Sequence, residues 1–65
     1  MKFNEMDLVR VLKDFPEQKI KKGDIGIIIT VFTEPREGYE VEFDDGAGKT
    51  KAVFSILPEY LEAYC

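Results

Sequence analysis

The chain has 65 residues, 45% hydrophobic and 34% charged, with thirteen acidic against nine basic side chains and a formal net charge of −4. A chain this short forms one domain, residues 1–65, that buries only about 60% of the surface its unfolded form exposes. The acidic balance works against phosphate backbones and anionic lipid, and with no histidine the commonest near-neutral base and metal ligand are both missing. Hydrolase triads and zinc sites are therefore not expected.

The single cysteine, Cys65, has no partner for an internal disulfide and reads as an incidental terminal thiol. The N-terminus carries Glu5 and Asp7 where a signal peptide needs a basic start, and no apolar run reaches membrane-spanning length. A cytoplasmic location is the expectation.

Residues 7–12 form a short β-branched run in which Val9 and Val11 alternate with Leu8, Arg10 and Leu12, which predicts a first strand. Pro16 then removes an amide donor and pushes Phe15 toward an extended shape, so residues 13–19 read as a loop that tucks Phe15 or Ile20 against the core. The stretch Lys21-Lys22-Gly23-Asp24-Ile25-Gly26 predicts a sharp corner. Its two glycines suit positive φ or a close backbone approach, and Asp24 suits a turn.

Residues 25–32 are almost wholly β-branched and apolar on both faces, which predicts a central strand with one face in the core and the other covered by a neighbouring segment. Thr33-Glu34-Pro35-Arg36-Glu37-Gly38 predicts an exposed hairpin loop. In residues 39–43 the alternation is strict, with Tyr39, Val41 and Phe43 on one face and Glu40 and Glu42 on the other. Asp44-Asp45-Gly46-Ala47-Gly48-Lys49 supplies the next turn, and strand character resumes over residues 50–55. Beyond it, Pro58 opens either a single helical turn, with Tyr60, Leu61 and Tyr64 at helical spacing, or a short 3₁₀ turn leading into a last strand over residues 61–64. The second reading fits the alternation of Leu61-Glu62-Ala63-Tyr64 better. The outcome is an all-β domain of about five short antiparallel strands, curled because a small sheet must protect two edges and two faces.

The order and spacing resemble the SH3-like barrels, in particular their bacterial KOW-type members, in which a Lys-Gly-Asp-x-Gly turn precedes a β-branched strand, here Lys22-Gly23-Asp24-Ile25-Gly26 before residues 27–32. The whole chain is also similar to a family of very short bacterial proteins, domain of unknown function 4926. The likeness runs through Asp7-Leu8-Val9, Leu12-Lys13-Asp14-Phe15-Pro16, the Gly23-Asp24-Ile25-Gly26 turn, Tyr39-Glu40-Val41-Glu42-Phe43 and Leu57-Pro58. The resemblance implies a stand-alone SH3-like barrel with no catalytic residue to carry over, and toxin-like neighbours as the partners of some relatives.

Chemistry must come from what remains. Asp44-Asp45-Gly46 fails the calcium-loop template, which needs a glutamate at the position held by Ala52. Gly23 and Gly26 lack the ending and following helix of a phosphate loop. With no tryptophan, a proline-rich-peptide groove is disfavoured. The expected activity is binding without catalysis and without a cofactor. An acidic strip of Glu40, Glu42, Asp44 and Asp45, with Glu34 and Arg36 from the preceding loop, would meet a basic, toxin-like protein partner as an antitoxin-like or immunity-like protein does. Two alternatives stand beside it. One is a KOW-like nucleic-acid or ribosome-associated module using Lys19, Lys21 and Lys22 with Tyr39, Tyr60 and Tyr64. The other is a homodimer that seals exposed strand edges through the apolar C-terminal segment.

Overall fold

A computed structural model describes residues 2–64; Cys65 lies outside the described residues. Five strands form one antiparallel sheet: β1 (Leu8–Val11), β2 (Ile25–Phe32), β3 (Gly38–Asp44), β4 (Thr50–Ile56) and β5 (Leu61–Ala63). Their spatial order is β4-β3-β2-β1-β5, so β2 is central, as its β-branched run predicts. Two 3₁₀ turns, Pro16–Gln18 and Pro58–Tyr60, each begin with a proline whose missing amide hydrogen is no loss in a first turn. The fold is an SH3-like small barrel, and its ladder does not close: β4 and β5 are not paired to each other.

Burial follows the alternation. Val9 and Val11 of β1, Ile28 of β2, Tyr39, Val41 and Phe43 of β3, Ala52 and Ile56 of β4 and Leu61 of β5 fill the inner side. Phe3 enters from the N-terminal segment and Ile20 from the β1–β2 loop. Phe15, paired with Ile20 in an isolated bridge, packs edge-on against Phe54 with ring centroids 5.2 Å apart. The loop thus tucks in both of the residues expected to compete for that role.

The corner is stitched to β1: Gly23 donates to the Val11 carbonyl at 2.9 Å and Val11 donates to the Asp24 carbonyl at 3.0 Å. Its two glycines answer different needs. Gly23 sits at φ +98°, where any side chain is strained. Gly26 lies on the inner face, and a Cβ there would stand 2.5 Å from Val41 Cγ1 and 2.8 Å from Phe43 Cε2. The missing side chain therefore lets β2 and β3 close on each other.

One expectation is overturned. The outer face of β2 is not covered by another segment: Ile25 and Ile29 are 37% and 36% exposed and Phe32 is 39% exposed. The reason is material. Among the described residues every strand already lies in the one sheet and the two 3₁₀ turns have three residues each, so none of their elements remains to form a second layer.

The start of the N-terminal segment docks on one hydroxyl, and Met6 further along donates to the Ile28 carbonyl at 2.8 Å. Tyr39 Oη accepts from the amides of Lys2 and Phe3, both at 3.0 Å, and donates to Glu37, while the Phe3 ring meets the Tyr39 ring edge-on at 5.3 Å. The hydrogen bond from Tyr39, then that from the Lys2 amide, holds the Glu37 carboxyl below its ordinary 4.5. Burial pushes the Tyr39 hydroxyl above its ordinary 10.0, with the Glu37 hydrogen bond adding to it.

Replacement of Gly26 by Ala should cost about 1–3 kcal/mol of unfolding free energy through overpacking. Gly38→Ala, where a Cβ meets nothing within 4 Å, serves as the control in chemical denaturation and should cost far less. Tyr39→Phe should cost about 1–3 kcal/mol by leaving the buried Phe3 amide without its acceptor, while the Lys2 amide keeps Glu37. Because the folded Glu37 pKa is lowered, its contribution is present above pH 4.5 and lost as pH falls below it. Because that of Tyr39 is raised, stability is lost as pH rises past 10.0. Thermal melts against pH should therefore show a shallower acid limb for Glu37→Gln and a shallower alkaline limb for Tyr39→Phe.

Candidate protein-binding face

Residues paired across an antiparallel sheet share a face, so the register reads out the outer surface directly. Leu8 pairs with Ile27, Ile27 with Glu42 and Glu42 with Val53, giving an outward row across four strands. On one side of it Glu40 lies between Thr30 and Ser55; on the other, Ile25 pairs with Arg10 and Arg10 with Glu62. Leu8 is 46% and Val53 41% exposed, and Ile27 is half-buried. The face is thus apolar at Leu8, Ile25, Ile27 and Val53, with the Glu40 and Glu42 carboxylates on the strand between β2 and β4.

Glu42 accepts a hydrogen bond from the Thr50 hydroxyl at 2.7 Å, and Glu40 and Glu42 have no ion-pair partner among the described residues. Arg10 is committed elsewhere: its Nε lies 2.6 Å from Glu62 Oε2, and its guanidinium lies 5.6 Å from the centre of the Tyr64 ring. Among the described residues, the acidic side chains of β3 have no ion-pair partner.

Asp44 continues the strip at the end of β3, and its carboxylate caps the Gly46 amide at 3.0 Å. Asp45 is turned into the hairpin, where its Oδ1 accepts from Ala47 at 2.7 Å and Lys49 at 3.2 Å. Those two hydrogen bonds, Ala47 first, hold the Asp45 carboxyl below its ordinary 3.8. This is turn chemistry, in line with the failure of the calcium template. Among the described residues no group of three or more His, Cys, Asp or Glu is placed to hold a metal ion.

Glu34 and Arg36 are exposed in the loop before β3, whereas Asp44 is its last residue and Asp45 follows it. Six strand residues, Gly38 to Phe43, separate the two groups, roughly 20 Å at the rise of an extended chain. The fold therefore brings Glu40, Glu42 and Asp44 together and leaves Glu34 and Arg36 as a separate group.

Two shallow depressions flank the strip. One, of about 280 Å³, is lined by Leu8, Ile25, Gly26, Ile27, Glu42 and Asp44. The other, of about 240 Å³, lies between the Gly23–Asp24 corner and the β3–β4 turn, with Ile20, Asp24, Ile25, Phe43, Asp44, Gly46 and Lys51 around it. Ile25 and Asp44 border both. Asp24 itself accepts from the Lys21 amide at 2.9 Å, so the corner binds its own backbone.

The residues of the nucleic-acid alternative are dispersed. Tyr39 is fully buried, and Lys13 places its ammonium over the Tyr60 ring at 4.4 Å and the Phe15 ring at 5.3 Å. Lys19, Lys21 and Lys22 are exposed near the Val11 end of β1, while Tyr64 hydrogen-bonds to Leu8 at the other end. In the C-terminal segment of the dimer alternative Leu61 faces the core, while Tyr64 is 45% exposed.

What sequence reasoning missed is Leu8, Ile25, Ile27, Ile29 and Val53 as surface. The signal was present: a chain of 65 residues with five strands and no helix has no segment to spare for the second face of its sheet.

No helix is long and apolar enough to cross a membrane among the described residues. No curated protein and no solved structure matches the chain. Residues 5–63, all five strands, match the family described as Domain of unknown function (DUF4926), and the chain belongs to that family.

Proposed function

We propose that this protein is a small non-enzymatic binding module whose outer β1–β4 face docks a basic protein partner, in the manner of an antitoxin-like or immunity-like protein covering a toxin. The observation that carries this reading is the row Leu8–Ile27–Glu42–Val53, with Ile25 and Glu40 beside it. Exposed aliphatic side chains supply area to bury. Glu40 and Glu42, without a cation of their own chain among the described residues, supply the sign of charge that selects and orients the partner. Asp44 extends the surface to the depressions at the end of β3. Glu34, Arg36 and Asp45 are secondary, the first two for their distance and the last for its engagement in the turn. A cytoplasmic setting belongs to the same proposal, since the partner is expected where the protein is made.

The test compares tagged wild-type protein with a Glu40→Lys/Glu42→Lys variant in extracts of the native host. The expected result is a protein retained by the wild type at 0.1 M salt and lost from the variant. Retention should also weaken toward 1 M salt, over which the screening length falls from about 10 Å to about 3 Å. Recovery of the same proteins by both forms, or of RNA in place of protein, would overturn the proposal.

A further inference from the structure

The two edges of the sheet are treated differently. β5 is three residues long, one way in which proteins blunt an edge. β4 has seven residues, Thr50-Lys51-Ala52-Val53-Phe54-Ser55-Ile56, with no proline, no glycine and a single charge. That charge, Lys51, sits where the β3–β4 register shifts, which leaves Ala52 to Ile56 as a regular, neutral run. Among the described residues its backbone pairs only with β3, so the row of amides and carbonyls on the far side has no partner in the chain.

Such a row is complementary to one thing, another extended strand. The side chains agree: Val53 is exposed on the outer face, and Phe54 is only half-buried on the inner face although Phe15 and Phe43 pack against it. An added strand would cover both. We infer that the occupant is β4 of a second copy, paired antiparallel about a twofold axis near Val53 and Phe54 to give a continuous ten-stranded sheet.

Charge on the page favours a copy of this chain. Lys49 and Lys51 stand at the start of β4 and Glu59 just beyond its end, so antiparallel pairing brings the lysines of each copy toward the glutamate of the other, twice by symmetry. The neutral middle opposes no like charges. Glu40 and Glu42 of the two copies remain separated by both β4 strands, three strand spacings, on the order of 14 Å and beyond the screening length at physiological salt. The contact shares Val53 with the proposed partner face and leaves Leu8, Ile27, Glu40 and Glu42 open; it is argued from the edge of β4 alone, so it does not rest on the proposed function.

Sedimentation equilibrium of the wild type over a concentration series up to about 0.5 mM, a range in which weak contacts register, should fit a monomer–dimer equilibrium built on 7.5 kDa. Hydrogen exchange should show amides of β4 gaining protection as concentration rises. Val53→Lys/Ser55→Lys alters only exposed positions of the strand, keeps the fold, and should weaken dimerisation at least tenfold. Glu40→Lys/Glu42→Lys should leave it unchanged. A wild type that stays monomeric throughout the series, or a dimer that survives the lysine pair on β4 or shows no concentration-dependent protection there, would overturn the inference.

Discussion

The architecture depends on an absent side chain. At Gly26, on the inner face of the central strand, Val41 and Phe43 occupy the space in which a Cβ would stand. That contact lets β2 and β3 approach closely enough for a five-stranded sheet to fold over its own core. Among the described residues no α-helix or second sheet contributes to that core. Phe3 and Ile20 from flanking segments complete it. A domain of this size has little apolar area to spare, so each inward position must be filled and each close approach used.

This economy determines the surface. Once the inner face has closed on itself, Leu8, Ile25, Ile29 and Val53 have no second layer among the described residues to pack against, and they remain exposed although Ile and Val are usually buried. Between them stand Glu40 and Glu42, which are not neutralised by an ion pair among the described residues. Apolar area with charge of one sign is a surface suited to a partner, and it is continuous because register, not chance proximity, aligns it. The edge of β4 is also free, because β5 pairs with β1 at the opposite end of the sheet.

Much of this was legible in the residues. The β-branched run of residues 25–32 marked the central strand to its end residues, and the alternation of Tyr39 to Phe43 separated core from solvent correctly. Gly46 and Gly48 at positive φ, with Asp44 and Asp45 bonded to the backbone ahead of them, bear out the turn read from composition. Pro58 opened a 3₁₀ turn into a strand, as the alternation after it suggested. The outer face of β2 was misread because periodicity reports which side chains are apolar, not whether another segment exists to cover them. Nor does one-dimensional spacing reveal that Glu34 and Arg36 lie a full strand away from Asp44. The role of Gly26 as a packing site, distinct from the conformational role of Gly23, needed the third dimension.

The central claim is that the outer face of β2 and β3, not the basic β1–β2 loop, meets the partner. In-cell photo-crosslinking tests it most directly, with a photoreactive residue placed at Ile27 in one form and at Lys19 in another, expressed in the native host. The account predicts an adduct with a lysine- and arginine-rich protein from position 27 and none from position 19. An adduct with RNA or protein from position 19, with none from position 27, would contradict it.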